Sequence, residues 1–239
     1  MIEIFTKEQQ VYGEFNNGEI IENKPIGFPH ENGGSKAYSN IFYWAYASSS
    51  INSTIGLHPH KGFEIMSYVI NGTIKHYDTL TQKWITLNKG DVQIIQSGSG
   101  ISHSEAIDKN ASIFQIWFDP NLEKSIFQQP TYKDYPAKIF NVNSNKKVII
   151  GNGSPVKINS EKINVFELDL EKKILIKNQL KNILSIYVLY GNLRVSNNKI
   201  SQHDFIKIQN KENITLDIMS PCKLFCISSP QNPSYTTYI

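Results

Sequence analysis

Histidine is scarce in this chain, six residues in 239, and four of the six fall within residues 58–103. Two flank a proline in GLHPHKGFE, residues 56–64, as His58 and His60. A second pair at the same spacing, His103 and Glu105, lies in SGSGISHSE. Residues i and i+2 of an extended strand face one way, so each pair aims two donor groups to one side. If the two segments occupy neighbouring strands, His58, His60, His103 and Glu105 converge on one point. Three neutral imidazoles and a carboxylate form a mixed nitrogen and oxygen set, close to the two-histidine, one-carboxylate sites of non-haem iron and unlike thiolate-rich zinc sites. On a six-coordinate ion it leaves positions open for water, dioxygen or a chelating substrate. Glu64 has the same parity as His58 and His60, so parity alone permits it as a ligand too. His76, just past the Gly72 turn, is a candidate for a pocket role beside the metal. His30 and His203 stand alone and carry no such expectation.

The elements that must position these groups are strands. Short runs rich in β-branched and aromatic residues recur: IFYWAYAS (41–48), EIMSYVI (64–70), TIKHYDTL (73–80), DVQIIQS (91–97) and ASIFQIWF (111–118). A second set begins at KVIIG (147–151) and runs through KINVFELDL, ILSIYVLYG, DFIKIQ and ITLDIM to KLFCIS (223–228). Even spacing with Gly, Asn, Asp or Ser between runs predicts sandwich or barrel architecture rather than alternating βα units. Only short helices are expected, at 121–127 and near residue 180. FQQPTYKDYPAK (127–138), with two prolines and no alternation, reads as a connection between two β units. Domains are therefore expected at 1–132, bearing the metal ligands, and 133–239, without them. YVINGTIKHYD and YVLYGNLRVSN are similar hairpins, one in each half, which agrees with two copies of one fold.

The totals exclude several classes. A hydrophobic fraction of 40% with 19% charged residues suits a globular protein with a real core. The net charge of +3 comes with no basic cluster interleaved with aromatics, so no direct nucleic-acid binding is expected. The N-terminus shows no signal-peptide pattern, and no apolar run is long enough to span a bilayer; a cytoplasmic, monomeric protein without membrane attachment is the expectation. Cys222 and Cys226 have neither CxxC spacing nor a second pair, and read as small core residues.

The succession HPHKGFE, YVINGTIKHYD, KGDVQIIQSGSGISHSE and FQIWFDP, over residues 39–120, resembles the pirin family of bicupins. GNGSPVKI and YVLYGNLRV resemble its second cupin more loosely. The resemblance implies an all-β fold of two cupin-type antiparallel β-sandwich or jelly-roll barrels. It also implies one divalent transition metal, Fe(II) foremost with Mn, Ni, Co, Cu or Zn as alternatives, held by His58, His60, His103 and Glu105. In the family the carboxylate comes from the later pair, which makes Glu64 a hydrogen-bonding neighbour. The implied activity is of quercetin 2,3-dioxygenase type, on a flavonol-like chelating aromatic and dioxygen, with Glu105, Glu64 or His76 as proton acceptor. The alternative is a non-enzymatic metal- or redox-sensing regulator that binds a protein partner. The chain departs from the pattern at Lys61, where the family often has Arg, and at Lys89, where it usually has Pro before Gly-Asp. The segment 19–40 departs as well, and with it the shape of the pocket.

Overall fold

Period-two runs of Ile, Val, Phe and Tyr form strands because one face of each can be buried while the ladder satisfies every backbone group. The computed structural model describes residues 1–238 and is antiparallel β-structure almost throughout. Its contacts divide it into two compact units. One comprises Gln10–Ile139, Ile158–Ser160 and a stretch beginning at Ser234; the other comprises Met1–Gln9, Phe140–Lys157 and Glu161–Pro233.

In the first, histidine-bearing unit a seven-stranded sheet has the order Thr131–Tyr135, Val92–Gln96, Glu64–Asn71, Ser112–Phe118, Ile41–Ser49, Ile20–Ile26, Val11–Phe15. A four-stranded sheet has the order Ser53–His60, Ile101–Ile107, Thr73–Asp78, Ile85–Asn88. Ile20, Ala47, Val69 and Ile113 of the large sheet pack against Ile74, Leu87 and Ile107 of the small one. Full burial of each such aliphatic chain contributes about 1.5–3 kcal/mol. The second unit repeats the seven-plus-four plan. Its large sheet runs Ile2–Phe5, Phe205–Ile208, Asn182–Tyr190, Cys222–Pro230, Asn164–Leu170, Lys146–Ile150, Val142–Asn143, and its small sheet runs Ile174–Lys177, Asn213–Ile218, Leu193–Val195, Asn198–Ile200. Cys222 and Cys226 are free thiols in its core. The double β-sandwich matches the expected fold class.

Three local expectations differ from the structure. Residues 127–138 contain a strand, Thr131–Tyr135, which extends the large sheet by pairing with Val92–Gln96. Pro130 and Pro136 bracket this strand without interrupting its ladder, as an edge position allows. The expected division between residues 132 and 133 falls inside it. The opening residues Ile2–Phe5 pair with Phe205–Ile208 and so belong to the second unit, a connection no local pattern reveals. The expected helix at 121–127 is the short Leu122–Ser125, whereas residues around 180 form the turn before strand 182–190.

Candidate metal centre

Strand 53–60 lies beside strand 101–107, with His58 opposite His103 and His60 opposite Ile101. Parity and register thus bring together residues separated by more than forty positions. The metal-binding atoms of His58, His60 and His103 lie within 4.8 Å of one another. His60 and His103 are buried, and their Nε2 atoms are 2.9 Å apart. Two imidazoles on one ion at about 2.1 Å, subtending roughly a right angle, would hold their nitrogens about 3 Å apart, so the spacing fits a shared metal. His58 Nδ1 lies 2.8 Å from the Gly56 carbonyl oxygen. A carbonyl can only accept, so Nδ1 is the donor, and in the neutral ring Nε2 keeps its lone pair. Burial, reinforced by the neighbouring imidazoles, lowers the pKa of His60 to about 3 and of His103 to about 2. Both are therefore neutral near pH 7, as ligation requires.

Glu105 lies outside this histidine group. The pairing with strand 53–60 slips here, two residues from His103 to Glu105 facing three from His58 to Ile55, so the bulge is on strand 53–60. Against strand 73–78 the register is unbroken, with His103 opposite Asp78 and Glu105 opposite His76. The buried Glu105 carboxylate accepts a hydrogen bond from Gln115 Nε2 at 2.6 Å and a longer one from Ser67 Oγ at 3.3 Å. A carboxylate offers about four lone-pair sites, so two remain.

Glu64 faces a different set of partners. Its oxygens accept from Gln96 Nε2 at 2.6 Å, the Asn159 and Ser160 amides at 2.6 and 2.8 Å, and Ser160 Oγ at 2.5 Å. It is thereby an anchor for residues 158–160. His76 sits behind His103, with ring centroids 5.5 Å apart. It donates from Nε2 to Asp78 at 2.7 Å and stacks on Tyr132. Burial lowers its pKa despite the opposing Asp78 bond. His30 stacks on Phe28, and His203 hydrogen-bonds with Tyr187 in the second unit.

The histidines open into a cavity of about 520 Å³ within the same unit, bordered by His58, His60 and Glu105. Its walls include residues the sequence reading passed over. Phe28, Tyr43 and Trp117 form an aromatic side, with Tyr43 and Trp117 stacked at 4.4 Å. Glu22, Lys24 and Gln115 supply polar groups. Tyr43 donates to Glu22 at 2.8 Å, and Lys24 pairs with Glu31. Burial pushes the Glu22 carboxyl above its ordinary pKa against that hydrogen bond. The available signal was polar residues inside strand patterns, Glu22 and Lys24 at i, i+2 in IIENKPI and Gln115 within SIFQIWF.

An all-β chain of two cupin-like sandwiches, one carrying a histidine centre at the mouth of an aromatic-walled cavity, defines the class. Residues 26–118 match the Pirin family model. The chain is 27% identical over 186 residues to an Escherichia coli quercetin 2,3-dioxygenase, covering 73% of this chain and 76% of that one. It is 45% identical to a Zymomonas mobilis protein over 69 residues, only 28% of either chain. The structure of the Escherichia coli pirin YhhW in complex with nickel(II) superposes with a TM-score of 0.82 at 22% identity, over 96% of this chain and 99% of that one. The chain is thus similar to pirin-family proteins in its histidine-bearing half and shares their double-cupin fold. Its three histidines form a group able to hold a divalent metal. Among the described residues no helix is long and apolar enough to cross a membrane.

Proposed function

We propose that this protein is a metal-dependent dioxygenase of quercetin 2,3-dioxygenase type, with Fe(II) held by His58, His60, His103 and Glu105. The observation that carries the reading is the common cavity: His58, His60 and the Glu105 carboxylate border the same aromatic-walled space, with His103 beside them in the histidine group. The name of the Escherichia coli relative supports the reaction type, and the nickel complex of YhhW supports a divalent ion.

A bound divalent metal would supply Lewis acidity and a template for a chelating substrate. The remaining work falls to the chain. Trp117, Tyr43 and Phe28 offer ring faces and edges to a flat aromatic body. Gln115 holds the Glu105 carboxylate in place, leaving it lone pairs both for ligation and for the proton of a substrate hydroxyl. We assign the proton to Glu105 rather than Glu64 or His76. The first of these two has its oxygens occupied by four donors, and neither it nor His76 is in the lining of the cavity that Glu105 borders. At the cavity wall, Glu22 and Lys24 provide polar groups to orient ring hydroxyls away from the metal.

Anaerobic loading with Fe(II), followed by air, is expected to give loss of flavonol absorbance with matching oxygen uptake. His58→Ala/His60→Ala protein should lose both activities and its bound metal by elemental analysis. Failure to turn over flavonols with Fe, Mn, Ni, Co and Cu alike would overturn this reading; metal retention without turnover would favour the regulatory alternative.

A further inference from the structure

The second unit has a cavity of its own, about 530 Å³, within the range that encloses small organic ligands. It lies on the inward faces of strands 146–150, 164–170, 174–177 and 182–190. Alternation decides what faces it. Lys146, Val148 and Ile150 line it, Lys146 from an exposed position at the rim, whereas Lys147, one residue on, is not in the lining and pairs with Glu167. Lys223 also pairs with Glu167, so this carboxylate is taken up by other lysines.

Among the described residues the cavity is lined by Lys146 and Lys177 and by no aspartate, glutamate, histidine or cysteine. Its floor is apolar, built from Phe166, Leu168 and Leu184 with Ile176 opposite, and the Lys146 ammonium lies 4.1 Å from the Phe166 ring centroid. Asparagines at 145, 152, 164, 178 and 182 contribute neutral polar groups to the lining. Lys146 and Lys177 are exposed and so stand at the mouth of the cavity, where two ammonium groups over an aromatic floor, with no acidic side chain in the lining, favour an anion over a cation. The apolar surface below it sets the other requirement. A fully hydrated inorganic anion would satisfy only the first, and a neutral hydrocarbon only the second.

We propose that this cavity is a second ligand site, independent of the metal centre, which binds a small aromatic or aliphatic monocarboxylate. The apolar body rests on Phe166, Leu168 and Ile176, and the carboxylate meets Lys146 and Lys177 through charge-assisted hydrogen bonds. The donor set points to binding without metal chemistry, so the second unit acts as a receptor.

Amide chemical-shift titration of the full chain with phenylpropanoate tests this, with phenylpropanamide and phenylpropylammonium as controls of the same body. The expected result is saturable binding of the carboxylate, shifts centred on residues 146–150, 164–168 and 174–184, and affinity about tenfold or more above that for the amide. Lys146→Gln/Lys177→Gln should reduce the carboxylate to the affinity of the amide. Because Lys146 also packs on Phe166, a cavity-filling Ile176→Trp variant provides a second test: it should retain the folded spectrum yet lose binding. The proposal is overturned if phenylpropanoate does not saturate by about 10 mM, far weaker than micromolar recognition. Equal binding of carboxylate and amide also overturns it, as do shifts centred on the 520 Å³ cavity of the first unit. None of these outcomes depends on dioxygenase activity, so failure here leaves the metal-centre reading standing, and the reverse.

Discussion

Burial acts in opposite directions on two histidines and on one acid of the same unit, and this gives the metal-free protein a distinctive pH response. His60 and His103 have pKa values lowered to about 3 and about 2, so the unfolded chain binds protons near pH 6.5 that the folded chain refuses. Their contribution to stability is full above pH 6.5 and is lost progressively as pH falls toward 3. Asp119 behaves oppositely. Burial raises its pKa to about 6, opposed by the Tyr238 amide, which donates to Oδ2 at 2.9 Å. The folded state therefore holds a proton that the unfolded state releases near pH 3.9, and stability falls as pH rises from there to 6. Thermal melts of metal-free protein between pH 4 and 7 check both signs. His103→Gln should flatten the loss of Tm on acidification, and Asp119→Asn should steepen it. Asp119→Asn should also raise Tm at pH 7 while matching the unsubstituted protein at pH 4. The opposite ordering of the slopes would refute the assignment.

At the scale of elements, two loops hold the histidine strands in register. Gly62, after His60, donates its amide to the Gly98 carbonyl at 2.9 Å, and Ser99 donates to the Gln128 carbonyl at 2.7 Å. Gly98 has φ of +50°, and a Cβ there would collide with the Gln128 carbonyl oxygen. Both backbone strain and the collision oppose any side chain. Gly98→Ala is expected to cost about 2–3 kcal/mol in chemical denaturation, with weaker metal binding because strand 101–107 begins just beyond. Unchanged stability would mean that the loop adjusts freely. The bulge on strand 53–60 and the partners of Glu105 show where local reading stops. The HPH spacing survives intact, because a continuous strand fixes the relation of residues two apart. The HSE spacing is equally regular against strand 73–78; what it does not reveal is that Gln115 and Ser67 hold the Glu105 carboxylate apart from the histidine group.

For the whole molecule, the decisive feature is that neither unit is one continuous stretch. Residues 158–160 return to the histidine-bearing unit and deliver three of the four donors to Glu64. Glu64→Ala would leave buried amides and a hydroxyl unsatisfied, and should cost about 3–5 kcal/mol in denaturant unfolding. Metal affinity of the folded variant should stay nearly unchanged; a hundredfold loss would make Glu64 a ligand instead. The seven-plus-four plan in both units agrees with the paired hairpins visible in the sequence.

The sequence by itself determined the strand class, the two-fold repetition, and the three histidines. Each follows from short-range periodicity, in which residues two apart share a face whatever lies elsewhere. Only the tertiary structure decided the carboxylates, the membership of Ile2–Phe5, the edge strand at Thr131–Tyr135 and the polar wall of Glu22, Lys24 and Gln115. These depend on cross-strand register, a bulge and chain returns over more than ninety residues, as between Glu64 and Ser160. GLHPHKGFE thus specified its two imidazoles locally, while the duty of its closing glutamate was set by a segment far along the chain.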